Sequence, residues 1–79
     1  MKNIKVKLVN GDSFSTRING TDNQIINHYN DNNFFNSNIN EQVKEIEIEL
    51  SKDELMTGQR SGKKVYMFNY DKKKDMYIY

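Results

Sequence analysis

The residue best matched by type to proton transfer near neutral pH is the single histidine, His28. It stands in a stretch that reads as helix, within reach of Asp22 and Asp31, so an acid/base arrangement with either carboxylate is geometrically open. No cysteine is present to serve as a nucleophile beside it. The hydroxyls of Ser13, Ser15 and Thr16 fall in an alternating, strand-like stretch with no elbow motif around them. A lone helical histidine is more often a surface or boundary residue than a catalyst, and the residues together point away from an enzyme.

Metal chemistry has little to build on. "DNNFFNSNINEQ" opens like a calcium loop, with Asp31 and Asn33 at its first and third positions. Phe35 then takes a ligand position, Asn36 stands where glycine makes the turn, and Gln42 replaces the bidentate glutamate. Neither a metal nor a cofactor site is expected. Asn19-Gly20-Thr21 matches a glycosylation sequon by pattern, which carries meaning only in a secreted protein.

Two constellations suit binding better than catalysis. Residues 41 to 54 hold six acids and two lysines, and Glu45, Glu47 and Glu49 alternate with apolar residues to make an acidic row. In the tail, Tyr66, Phe68, Tyr70, Tyr77 and Tyr79 interleave with Lys63, Lys64, Lys72, Lys73 and Lys74. Aromatic platforms flanked by cations hold single-stranded nucleic acid. The same residues, alternating in a small sheet, fill a core or a protein interface, while lysines on an edge discourage aggregation. The two poles nearly cancel: twelve basic against eleven acidic residues leave a net charge of +1, which suits neither a polyanion mimic nor a strongly basic nucleic-acid binder.

A third candidate is "YNDNNFFNSNIN", residues 29 to 40, with six asparagines among its twelve residues. It is an array of amide donors and acceptors, yet asparagine is at home in loops for backbone reasons alone. Asparagine occurs twelve times and lysine ten times in the chain, and alanine, proline, cysteine and tryptophan are absent. That composition matches an A+T-rich genome and argues that most of the asparagines solvate a connector. Phe34 and Phe35 are then expected to tuck against the core and anchor it.

The elements that must position these groups follow from periodicity. "KNIKVKLV" and "DSFSTRI" alternate as half-buried strands around Asn10-Gly11. A two-residue turn would set apolar against polar faces. A three-residue loop, Val9-Asn10-Gly11, pairs Val6 with Phe14 and Ile4 with Thr16 and puts both apolar rows on one face. "TDNQ", residues 21 to 24, is a capping box, so a helix starts there, buries Ile25, Ile26 and Tyr29, and ends at Tyr29 or Asn30 where asparagines accumulate. "KEIEIEL" alternates too; its glutamate and leucine content also suits a helix, but the strict period of two favours a strand, with its glutamates beside Lys5 and Lys7 of the first strand. "SKDE" opens a short turn reaching Leu55 and Met56, "TGQRSG" reads as a mobile loop, and "KKVYMFNY" and "DMYIY" read as one hairpin closed through "DKKK", apolar on both faces.

The order is β-β-α-β-β-β: a single α+β domain over residues 1 to 79, mainly antiparallel, with one helix packed on a face, β-grasp-like if the third strand lies beside the first. The first twenty residues lack the apolar run of a signal peptide, no window approaches a membrane span, and cysteine is absent, which together imply a cytoplasmic protein without membrane contact. In length, in asparagine and lysine content, and in its "LVNGDSF" hairpin followed by a capped "NGT" helix, the chain resembles the small proteins encoded by phages and mobile elements of A+T-rich bacteria, anti-CRISPR and other anti-defence inhibitors among them. The resemblance implies a non-enzymatic inhibitor that binds and blocks a larger bacterial protein such as a CRISPR nuclease. The acidic row is one face for that partner, since it could compete for a nuclease's basic channel; the tyrosine and lysine tail is the other. Single-stranded nucleic-acid binding through the tail is the rival function, and a homodimer burying the tail hairpin is compatible with either.

Overall fold

A computed structural model describes all residues, 1 to 79. The chain forms β1 (Lys2–Leu8), β2 (Ser13–Ile18), α1 (Asp22–Phe35), β3 (Val43–Glu49), β4 (Lys63–Met67), β5 (Asn69–Asp71) and β6 (Met76–Ile78). Four strands make a sheet in the order β2-β1-β3-β4, every neighbouring pair antiparallel, and β5 and β6 form a separate two-stranded ribbon. The α+β class is as expected. β3 does lie beside β1, but the pair runs antiparallel, so the neighbour relation of a β-grasp is met with a different strand direction.

The first hairpin follows the apolar pattern. Val6 pairs with Phe14 and Ile4 with Thr16, and the loop closes with the Gly11 N–H donating to the Leu8 carbonyl at 3.0 Å and the Leu8 N–H to the Asp12 carbonyl at 2.8 Å. Gly11 sits at φ 94°, in the left-handed region where a side chain is disfavoured, which is why glycine closes this turn. β3 is a strand over Val43–Glu49, as its period of two requires, and its register places Lys5 against Glu47 and Lys7 against Glu45. One extra residue, Lys44, bulges β3 opposite the step from Lys7 to Leu8.

The core lies between the sheet and the helix. Ile4, Val6, Ile46 and Ile48 rise from the sheet to meet Ile25, Ile26 and Tyr29 of α1, with Val43 and Phe68 closing one end. Each such side chain contributes about 1.5–3 kcal/mol by leaving water. The helix starts at the capping box, where the Gln24 N–H reaches the Thr21 hydroxyl at 3.2 Å and the Thr21 N–H the Gln24 side chain at 2.9 Å.

The helix does not stop at Tyr29 or Asn30. It runs to Phe35, and its last buried residue is an asparagine. Asn33, only 2% exposed, donates through Nδ2 to the carbonyls of Val43 at 2.8 Å and Tyr77 at 3.0 Å, and accepts from the Val43 N–H at 2.7 Å. These tertiary bonds outweigh the poor helix propensity of the asparagine run. Rotation along the helix then carries Phe34 and Phe35 away from the core, to 68% and 82% exposure, so they do not anchor the segment.

The second expected hairpin is also divided. "KKVYMFNY" breaks at Phe68: β4 joins the main sheet beside β3, and only β5 pairs with β6. The hinge is Phe68 itself, buried, its N–H donating at 2.7 Å to the carbonyl of Lys44 at the bulge. The two apolar faces therefore belong to strands in two different sheets. β6 docks through side-chain amides: the Tyr77 N–H donates to Gln42 Oε1 at 2.8 Å, the Tyr77 carbonyl accepts from Asn33, and the Tyr79 N–H donates to Asn30 Oδ1 at 2.9 Å. Three amides occupy the edge where another strand would have bonded. "SKDE" forms one 3-10 turn, Lys52–Glu54, capped at Leu55, and leaves Met56 exposed.

Candidate functional site

The acidic row lies on the open face of the sheet, opposite the helix. Strand register sets Arg17, Asn3, Glu49 and Lys63 in one cross-strand row, Ser15, Lys5, Glu47 and Val65 in the next, and Ser13, Lys7, Glu45 and Met67 in a third. Lys7 Nζ lies 2.8 Å from Glu45 and 3.3 Å from Glu47, Lys63 Nζ lies 3.0 Å from Glu47, and Asn3 donates to Glu49 at 2.7 Å. The Lys63 ammonium, with Lys7, holds the Glu47 carboxyl below its usual range against the opposing effect of burial. Hydrogen bonds to Glu45 and Glu47 push the Lys7 ammonium up in turn. Glu45 and Glu47 are thus paired with lysines within the sheet, while Glu49 is met only by the neutral Asn3 amide and keeps an unpaired charge on this face. Lys5 and Arg17 have no ion pair on this face, and both border a shallow depression of about 430 Å³.

Asp22, in the first turn of α1, is a tie between elements, and its hydrogen-bond partners do not include His28. Its carboxylate accepts from Lys2 Nζ at 2.8 Å, Lys64 Nζ at 2.8 Å and the Tyr66 hydroxyl at 2.6 Å. Lys64 also pairs with Glu54. Burial raises the Asp22 carboxyl's affinity for a proton, but three donors and the positive end of the helix outweigh it and hold the group well below the usual carboxylate range. The same bond pushes the Tyr66 phenol up to about 12. His28 is exposed; its Nε2 lies 3.5 Å from the Asn32 amide, and its ring meets Tyr29 edge-on at 5.0 Å. No three histidine, aspartate or glutamate side chains gather closely enough to hold a metal ion.

The tyrosine and lysine tail does not form one surface. Lys64 and Tyr66 turn to the helix side and join the Asp22 network, and Tyr79 packs on Tyr66 and Phe68 at 5.7 and 5.9 Å between ring centres. Tyr70 and Tyr77 pair across the β5–β6 ribbon at 5.6 Å, with the Tyr70 hydroxyl donating to Asp75 at 2.6 Å. Lys72, Lys73 and Lys74 make the exposed turn beyond them, organised by Asp71 Oδ1, which accepts from the N–H groups of Lys73 and Lys74. Lys63 sits on the opposite face with the acidic row. A continuous stack of bases along five aromatics is thus absent.

What the sequence expectation missed is the end of α1. Phe34 and Phe35, their rings edge to face at 5.1 Å, project from the last helical turn. Phe34 borders a depression of about 400 Å³ with Met76, Ile78 and Tyr79, and Asp31 and Lys74 stand at its rim. A signal was there to read: continuing the Ile25, Ile26, Tyr29 stripe by one turn lands on Asn33 and puts both phenylalanines outside it. No helix is long and apolar enough to cross a membrane. In comparisons with protein families, curated proteins and solved structures the chain matches none.

Proposed function

We propose that this chain is a non-enzymatic protein-interaction module, and that Phe34 and Phe35, with the adjoining Met76, Ile78 and Tyr79, are the surface that grips its partner. The observation that carries this reading is the exposure of two phenylalanines in edge-to-face contact, at 68% and 82%, with Phe34 bordering a largely apolar depression. Aromatic side chains held rigidly at a surface supply large contact area at small entropic cost, and clustered exposed apolar groups mark interaction sites. Both phenylalanines are fixed by a helix whose end is locked from below by Asn33, so the surface is preorganised.

The partner in this proposal is a larger bacterial protein, such as a CRISPR nuclease, blocked in the bacterial cytoplasm by a small inhibitor of the phage or mobile-element kind. Support for that narrower reading is the resemblance in size and composition together with the exposed phenylalanine pair. The test is capture from bacterial lysate by tagged wild type, by a Phe34→Ser/Phe35→Ser variant, and by a Glu45→Lys/Glu47→Lys/Glu49→Lys variant. Loss of the captured protein in the phenylalanine variant alone is expected. Equal capture by that variant and by wild type would sink the proposal.

A further inference from the structure

β2 is the edge of the four-stranded sheet, and nothing in the chain covers it. The loop bond from the Leu8 N–H to the Asp12 carbonyl makes that a hydrogen-bonded pair, so bonded and non-bonded pairs alternate along the hairpin. Phe14, Thr16 and Ile18 therefore exchange bonds with β1, while the N–H and C=O groups of Ser13, Ser15 and Arg17 point outward, away from the sheet. Natural edges are usually guarded by lysine, proline, a bulge or a covering segment. β2 has none of these; its one charge, Arg17, lies on the open face. The amide-capped edge of β6 shows how the same chain closes an edge elsewhere.

The side chains of this edge are complementary to themselves. Phe14 lies on the helix-side row of the sheet yet is 46% exposed, because α1 packs over β3 and β6 and leaves the β2 margin open. In an antiparallel pair of β2 strands related by a twofold axis at Thr16, Phe14 of each copy falls opposite Ile18 of the other. That pair is non-hydrogen-bonded, the kind in which side chains approach most closely. Ser15 and Arg17 fall opposite each other as hydrogen-bonded pairs, using the outward backbone groups, so no like charges stand directly opposite and the two Arg17 side chains are diagonal neighbours on the open face. A shift by two residues puts Ser15 on the axis and Phe14 opposite Thr16, which leaves Ile18 without an apolar partner.

The geometry points to β2 as a self-pairing edge: two copies of this chain join through antiparallel β2 strands about Thr16, making one continuous eight-stranded sheet with Phe14 packed on Ile18 across the junction. The interface uses none of the residues of the proposed partner surface, so each dimer carries two Phe34–Phe35 surfaces and gains avidity for any partner that presents two sites.

The absence of cysteine makes the test clean. Thr16→Cys in the full chain places two thiols on the axis, at a separation that suits a disulfide. Mild oxidation is expected to cross-link Thr16→Cys efficiently, with Ser15→Cys slower and the loop control Ser61→Cys slowest. Sedimentation equilibrium up to ~100 µM, a weak-complex range, should give twice the 9.4 kDa monomer mass. Ser15→Pro, which removes an outward donor that the monomer does not use, and Phe14→Lys should each return the monomer mass, with circular dichroism confirming the fold. A wild type that stays monomeric, cross-linking of Thr16→Cys no faster than Ser61→Cys, or a dimer lost in Phe34→Ser/Phe35→Ser but kept in Ser15→Pro would overturn the inference.

Discussion

The four-stranded sheet and the segment from Asn30 to Gln42 obey opposite rules. In β1 and β3, apolar side chains face the helix and charged or polar ones face out after the first residue, and the rows follow from alternation; β4 departs from this, with Lys64 on the helix side and Val65 and Met67 on the open face. In the segment the order is inverted: Asn33 and Gln42 are each 2% exposed, while Phe34 and Phe35 stand in solvent. The sheet closes its backbone groups with other strands. The segment closes β6 with side-chain amides, and the two that do so from the interior, Asn33 and Gln42, each both donate and accept. The residue type that is disposable at the surface thus becomes indispensable one turn away.

The sharpest way to break this contrast is to remove one amide. Asn33→Ala leaves Val43 N–H, Val43 C=O and Tyr77 C=O without the partner they now have, and about 3 kcal/mol of stability should be lost in urea unfolding. Asn32→Ala, on the exposed side of the same turn, should change stability by less than about 0.5 kcal/mol. Equal effects at the two positions would erase the distinction between the regions.

Next in size is the network that ties the sheet to the start of the helix. Asp22→Asn exchanges a carboxylate held by Lys2, Lys64 and Tyr66 for a neutral amide and should cost about 2 kcal/mol at pH 7. The folded carboxyl is depressed, so its contribution is present above the unfolded value, about 3.9, and drains away as pH falls below it. Glu47 acts in the same direction. Tyr66 is raised to about 12, so its contribution is complete below the unfolded value of about 10 and is lost as pH rises from there through 12. Unfolding curves from pH 7 down to pH 2 should fall more steeply for wild type than for Asp22→Asn; parallel curves would show that Asp22 is not the group responsible.

Smaller effects separate the amides that shape turns from those that bond to other elements. Asn38 Oδ1 accepts from the Asn40 N–H at 3.2 Å, and Asn36 Oδ1 from the Asn38 N–H at 3.0 Å. Asn38→Ala should cost about 1 kcal/mol, a capping-sized loss. Smallest for stability is Phe34→Ser/Phe35→Ser, within about 0.5 kcal/mol by thermal or urea unfolding, because both rings are already in water. A loss of several kcal/mol there would return the pair to the core and remove the proposed partner surface.

The contrast also explains what could be read from the chain. Alternation over β1, β2 and β3 dictates which side chains share a face, and Gly11 dictates the turn, so register was legible down to Ile4 opposite Thr16 and Lys7 opposite Glu45. The capping box at Thr21 was equally local. Helix length was not, because Asn33 is held by Val43 and Tyr77, ten and forty-four residues away, and propensity knows nothing of them. The break at Phe68 depends on the bulge at Lys44 in another strand. At the candidate site, Glu45, Glu47 and Glu49 share a face as their spacing requires, but the pairing of Glu45 with Lys7 and of Glu47 with Lys7 and Lys63 needed the order of strands. Phe34 and Phe35 were misassigned for the same reason as Asn33: one more turn of helix moves all three.

The amide-held β6 ribbon has a consequence for how this chain can change over generations. Most of the twelve asparagines make no side-chain bond to another element and can be exchanged for serine, lysine or aspartate. Asn33 cannot follow, since a carboxylate there would turn an oxygen toward two carbonyls that now accept hydrogen bonds from its amide. Gln42 is bound by the same logic, both donating and accepting. Aligned descendants of this gene should therefore lose asparagines unevenly, with Asn33 the last of them to vary and Gln42 held alongside it.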